Sequence, residues 1–177
     1  MRLNQTLTRV CALLVGVILV GGLLTILLST GCQAELPEEE PDLPGPPVRE
    51  MPGSVKAGDE LAIQVTFVSP NNEFHAIGLT EIAPAKWNVT VDLAWTDPQA
   101  MLAHSPDTET AEYIWEGPYS TGTEFTAVYR VKVPADTEPG TYTFSGSLEY
   151  YVQPHPAPSH EKEITGDIQV TVSSQGL

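Results

Sequence analysis

The stretch FTAVYRVKV, Phe125 to Val133, places an apolar residue at every second position. A period of two is the pattern of a strand with one face in a core and the other in water. Phe125, Ala127, Tyr129, Val131 and Val133 fall on one face, and Arg130 and Lys132 on the other. The same texture recurs through residues 54–173. LAIQVTF groups Leu61, Ile63, Val65 and Phe67, and WNVTVDL groups Trp87, Val89, Val91 and Leu93. YTFSGSLEY is expected to bury Tyr142, Phe144, Leu148 and Tyr150, and DIQVTV to bury Ile168, Val170 and Val172. FHAIGLTEI and EYIWEG are weaker runs of the same kind. No segment after residue 30 shows a sustained helical period, so no long helix is expected there. About seven strands divided by Pro, Gly and Asp turns predict an all-β fold, an antiparallel β-sandwich.

That sandwich must hold without covalent help. The two cysteines, Cys11 and Cys32, both lie in or beside an apolar N-terminal segment. The domain beyond them has no disulfide and no cysteine-based zinc site.

The N-terminal segment has its own logic. MRLNQTLTR carries Arg2 and Arg9 and no acid, and Val10 to Leu28 is then 19 residues without a charge. A basic flank before an apolar core reads as an export signal. The run is long for a cleaved signal and long enough to cross a bilayer as a helix. In either case the positive flank leaves the N-terminus inside and the rest of the chain outside. LLSTGC, Leu27 to Cys32, resembles the lipobox of bacterial lipoproteins. Gly31 is the small residue before the cysteine, whereas Ser29 stands where that family usually has Leu, with Leu28 one step earlier. The resemblance implies that Cys32 becomes the lipidated first residue of the mature chain. The alternative, an uncut N-terminal apolar helix as anchor, stays open. Residues 1–31 are read as signal peptide or membrane anchor.

Residues 32–53 form an acidic, proline-rich tether. Gln33 to Gly53 holds six prolines and six acids against one base, Arg49. Proline supports neither a helix interior nor a sheet ladder, and like charges extend the chain. The segment is expected to be disordered. At polyproline spacing its reach is about 65 Å.

Residues 54–177 are the folded domain. ADTEPGTYTF, Ala135 to Phe144, resembles the tyrosine corner of immunoglobulin-like and fibronectin-like domains. The resemblance implies that the Tyr142 hydroxyl bonds backbone a few residues upstream, and that Phe144 stands where antibody domains have a cysteine. The domain as a whole is similar to the repeated immunoglobulin-like β-sandwich modules of large archaeal and bacterial cell-surface proteins. The matching stretches are Ala76 to Val91, Ala111 to Val152 and Ile164 to Val172. Those modules carry no catalytic residues to transfer, and this chain has one copy where they have several.

Chemistry follows from what is present. The formal net charge is −15, from 8 basic and 23 acidic residues. That balance excludes a nucleic-acid partner, whose binding rests on Lys and Arg at phosphates. There is no G-x-S-x-G, no H-E-x-x-H and no glycine-rich phosphate loop, so no enzyme and no cofactor are expected. His75, His104, His155 and His160 read as loop histidines, and Met101 with His104 is not a recognised ligand spacing. The acidic stretch Ser105 to Glu112 has calcium-type oxygens without EF-hand spacing. No metal site is assigned. Trp95, Trp115, Tyr119 and Tyr151 are the candidate ligand-contact aromatics, since exposed rings stack on sugars; Tyr113 and Trp115 share one strand face. Asn88 opens an N-V-T sequon on the outward face of its strand. Thr96 to Thr110 and Gln153 to Lys162 are the long unpatterned stretches where a partner would bind.

The sequence therefore points to an exported protein held at the membrane by lipid or by an N-terminal helix. Its expected role is structural or adhesive, toward an envelope protein or glycan. A carbohydrate-binding or accessory module serving a separate envelope enzyme or transporter is the second reading.

Overall fold

In the computed structural model the alternating runs are strands. The structure describes residues 45–69, 74–151 and 159–173, and the backbone alone of 12–20 and 23–31. The chain divides into two compact units, Met1–Glu39 and Glu40–Leu177. In the first, β1 (Ala12–Val20) pairs antiparallel with β2 (Leu23–Gly31). This backbone satisfies its hydrogen bonds between strands. Cys32 and residues 33–44 lie outside the described residues.

The second unit contains, in order, β3 (Val48–Glu50), β4 (Ser54–Lys56), β5 (Glu60–Val68), β6 (Phe74–Ile82) and β7 (Asn88–Asp97). It continues with β8 (Leu102–His104), β9 (Thr110–Tyr119), β10 (Glu124–Lys132), β11 (Gly140–Thr143) and β12 (Ser145–Tyr151). It closes with β13 (His160–Glu163), β14 (Thr165–Gly166) and β15 (Gln169–Ser173). Among the described residues there is no helix. One layer has the order β14-β3-β5-β10-β7. The facing layer is β13-β12-β6-β9-β8. A separate three-stranded sheet has the order β11-β15-β4, and Phe144 alone separates β11 from β12 along the chain.

Alternation places the core as expected along β5 and β10, where Leu61, Ile63, Val65, Phe67, Phe125, Ala127, Tyr129 and Val131 are buried. Phe67 stacks on Phe125 at 4.8 Å, and Trp115 meets their rings edge-on at 5.6 and 5.7 Å. Such aromatic pairs add about 0.5–1.5 kcal/mol beyond the area they bury. Trp87 closes the other end against Tyr142 and Phe144, at 5.1 and 5.9 Å. The Tyr142 hydroxyl donates to the Glu138 carbonyl at 2.8 Å, four residues upstream, which is the corner bond the sequence predicts.

Four details differ from the sequence reading. The unit has thirteen strands among its described residues, more than the expected seven, because strands of two or three residues such as β3, β8 and β14 are too short to carry an alternation of their own. Ile168 is 48% exposed, because it sits in the bend before β15 and the strand's parity does not reach it. Val91 and Leu93 are half-buried, because β7 bulges away from β10 between Ala127 and Tyr129. The segment read as tether joins the sheet from Val48, where β3 pairs antiparallel with β5 and parallel with β14.

That last difference has a physical cause, Arg49. Its side chain is buried between the layers and its guanidinium forks onto Glu81 of β6, Nε to Oε2 at 2.8 Å and Nη2 to Oε1 at 3.0 Å. The Tyr129 hydroxyl donates to the same Oε2 at 2.5 Å, and Arg49 Nη1 donates to the Asp167 carbonyl at 3.2 Å. Burial pushes the Glu81 carboxyl above its ordinary range, while Arg49 and Tyr129 pull it back. Burial alone would lower the Arg49 pKa, but the hydrogen bonds and charge of Glu81 outweigh it and the net shift is upward. Burial and the Glu81 charge hold Tyr129 well above its usual value, so it stays a donor. A bidentate pair with both carboxylate oxygens satisfied is the arrangement in which attraction offsets desolvation.

Glu81→Leu alone should cost about 3–5 kcal/mol, because it leaves a buried guanidinium unpaired. Arg49→Met with Glu81→Leu should recover most of that loss, read from urea unfolding midpoints. Tyr142→Phe should cost about 1 kcal/mol or less, the worth of one hydrogen bond at a partly exposed site. An unmoved midpoint would count against the corner bond.

Candidate functional site

The outer face of the first layer carries a shallow depression. Alternation that sends Ile63 and Tyr129 inward sends Ala62, Gln64 and Val128 outward, and their small size makes a flat floor across β5 and β10. Strand β3 and the edge strand β14, with the residues that follow them, raise one wall from Val48, Met51 and Asp167. The resulting depression is open and has a volume of about 700 Å³.

Beyond the floor strand β10 lies β7, which bulges there. Asp92 Oδ1 accepts the Ala94 amide at 2.9 Å. Thr96 Oγ1 donates to the Leu93 carbonyl at 2.8 Å and accepts the Ala100 amide at 2.8 Å. These local bonds fold residues 92–96 outward and place Trp95 under Arg130, whose guanidinium carbon lies 4.8 Å from the indole centroid. Arg130 also reaches Glu60 Oε1 at 3.2 Å and stands opposite Ala62 in the ladder. A flat floor with an aromatic–cation pair on its rim suits contact with an extended chain or a surface. It lacks the enclosure that small-molecule sites have.

The four candidate aromatics do not come together. Trp95 is half-buried on this outer face. Trp115 is fully buried, with Nε1 donating to the Pro98 carbonyl at 2.8 Å, so it is a core residue and not a ligand contact. Its strand must bury either Tyr113 with Trp115 or Ile114, and the larger pair goes inside, stacked at 5.9 Å. Tyr119 packs edge-on against Phe125 at 4.9 Å, and this burial raises its pKa. Tyr151 is half-buried on β12, its hydroxyl 3.2 Å from Glu149 Oε1. Trp115 and Tyr119 both pack on Phe125 in the core, whereas Trp95 and Tyr151 lie on different strands away from them, so the four rings form no exposed stacking platform.

The remaining candidates take structural partners. Asp107 Oδ1 accepts the amides of Glu109 and Thr110 at 2.9 and 2.7 Å, and these bonds with the Thr110 side chain hold its carboxyl below the usual range. His104 Nε2 lies 3.3 Å from Glu112, His160 stacks on Tyr150 at 5.4 Å, and Met101 is exposed. Among the described residues no group of three or more His, Cys, Asp or Glu is arranged to hold a metal. Asn88 is exposed, as its parity predicts.

The stretch Thr96 to Thr110 is not a single end loop. It runs from Pro98, beside Trp115, through β8 to Thr108, whose carbonyl accepts the Val89 amide at the opposite end. Residues 152–158 of the second stretch lie outside the described residues. Sequence reasoning missed Arg130 as a partner for Trp95. Its outward parity on β10 was visible, but the bulge that turns Trp95 to it was not.

No family model and no curated protein matches the sequence. Solved structures match the fold. A Corynebacterium diphtheriae protein described as membrane anchored superposes with a TM-score of 0.54 at 12% identity, over 86% of this chain and 40% of that one. Domains D2 and D3 of the major pilin SpaD, also from Corynebacterium diphtheriae, superpose with a TM-score of 0.52 at 8% identity, over 71% and 51%. This chain thus spans about half or less of each. At such identities the likeness establishes the fold alone, a β-sandwich.

Trp115→Ala should destabilise by about 3–5 kcal/mol, as a buried aromatic does. Trp95→Ala should stay within about 1 kcal/mol, as an outer-face residue does. Urea unfolding of the two variants checks both. Equal losses would mean that Trp95 belongs to the core.

Proposed function

We propose that the chain is exported, anchored at the membrane, and serves a non-catalytic structural or adhesive role at the cell envelope. The partner is a protein that lies along the outer face of the β14-β3-β5-β10-β7 layer. The observation that carries this reading is that face itself: a flat floor of Ala62, Gln64 and Val128 with Trp95 under Arg130 at its rim. Aromatic and arginine side chains are the residues on which protein interfaces concentrate their energy. The fold likeness to a pilin and to a protein described as membrane anchored supports a surface role. The scattered candidate rings speak against the carbohydrate-module reading.

The anchor is proposed from the sequence, with Cys32 as the lipidated first residue. More than one acyl chain there gives stable attachment where a single chain gives marginal binding. The domain carries no covalent staple, so a free thiol elsewhere does not compete for that role.

Capture of partners from envelope extract by wild type and by Trp95→Ala/Arg130→Ala, with a glycan array in parallel, tests the interaction. A specific protein retained by wild type and lost in the variant is the expected result. Glycan binding without a protein partner would favour the module reading instead. Intact mass of the membrane-extracted chain tests the anchor. A lipidated species beginning at Cys32 is expected, and one retaining residues 1–31 would contradict it.

A further inference from the structure

The segment that leads into the sandwich and the segment that leaves it run side by side in the same direction. Val48 and Arg49 pair parallel with Thr165 and Gly166, and Ser54, Val55 and Lys56 pair parallel with Thr171, Val172 and Ser173. The offset is the same in both places, 165 − 48 = 117 and 171 − 54 = 117. Bonds from the Thr165, Asp167 and Thr171 amides to the Pro47, Arg49 and Gly53 carbonyls, at 2.8, 2.9 and 3.1 Å, belong to these two ladders. Between them the Met51 amide donates to Asp167 Oδ2 at 3.1 Å. The parallel pairing thus runs in two ladders, Pro47 to Arg49 and Gly53 to Lys56, bridged by a side-chain bond where both segments pass from one sheet to the other.

Because the two segments are parallel, they leave the domain at opposite ends. Pro46 emerges near Phe67 and Val68, whereas Ser173 ends beside Lys56, next to the Gly58 turn. Tension between the two sides of the domain therefore acts along the strands. Every cross-strand bond is then loaded at once, while pulling two strands apart from one end loads them singly. Arg49 lies in the loaded segment and is tied across the layers to Glu81 and across the pairing to the Asp167 carbonyl.

We infer that this parallel pairing, bolted by Arg49 and Glu81, is a shear clamp, and that the domain functions as a tension-resisting link between its N-terminal and C-terminal sides. Its use in the cell rests on the N-terminal anchor proposed above; the geometry itself does not.

Single-molecule pulling on the full chain in detergent tests it. Cys11 and Cys32 are changed to serine so that introduced thiols alone carry the handles. One version carries Pro46→Cys and Gln175→Cys and pulls in shear. The other carries Asp59→Cys and Gln175→Cys and peels β15 from β4. Forced unfolding reads the unfolding barrier along the pulled direction. The shear version should unfold in one step, at a force several-fold above the peeling version at equal loading rate. Adding Arg49→Met/Glu81→Leu should lower the shear force and leave the peeling force unchanged. Equal forces in the two geometries would overturn the clamp, as would early low-force release of residues 46–56 in shear. A shear force unaffected by the double substitution would remove Arg49 and Glu81 from it.

Discussion

Arg49 facing Glu81 is the constraint around which the domain is arranged. A guanidinium and a carboxylate between two sheets are tolerated only when every strong donor and acceptor finds a partner. Tyr129 and the Asp167 carbonyl complete that set, so one cluster fixes β3, β6, β10 and the turn after β14 relative to one another. The chain around it is fitted to make room. A Cβ on Gly146 would fall 2.5 Å from Glu81 Oε1, and one on Gly166 would fall 2.3 Å from the Arg49 carbonyl oxygen. Gly166 also has φ +86°, a conformation that side chains disfavour.

The cluster also explains how the sandwich holds without a disulfide. Polar groups cross the core at separate points. The Tyr113 hydroxyl donates from β9 to the Val128 carbonyl of β10 at 2.8 Å, and Tyr129 and Arg49 reach Glu81 on β6. Directional bonds of this kind fix how the layers sit on each other, while the Phe67, Trp115 and Phe125 rings supply apolar burial. With the strongest side chains spent inside, the outer faces are free to serve contact. The shallow face bordered by Trp95 and Arg130 is the one with shape and chemistry.

Much of this was legible in the sequence because alternation is a local signal. The faces of β5 and β10 follow from period alone, while the corner at Tyr142 was implied by a resemblance. Glu81 was legible in principle, since it continues the inward parity of Ile77 and Leu79, yet an acid at an inward position makes sense only once its partner is known. That partner lies 32 residues away in a stretch whose prolines and acids read as tether. Trp115 looked like a possible surface ring because composition cannot choose between the two faces of EYIWEG. The fold chooses by volume, burying two large rings instead of one isoleucine. Trp95 turns outward through a bulge made by Asp92 and Thr96, and bulges leave no periodic trace.

The central claim is that the incoming segment is part of the core and not a strand laid against it. Native-state hydrogen exchange of the Val48–Glu50 amides tests it most directly, because exchange separates local fraying from global unfolding. The account predicts that the hydrogen-bonded amides of β3 exchange with the same free energy as those of β5 and β10, through opening of the whole sandwich. Exchange of β3 through a low-energy local opening, with β5 and β10 still protected, would contradict it.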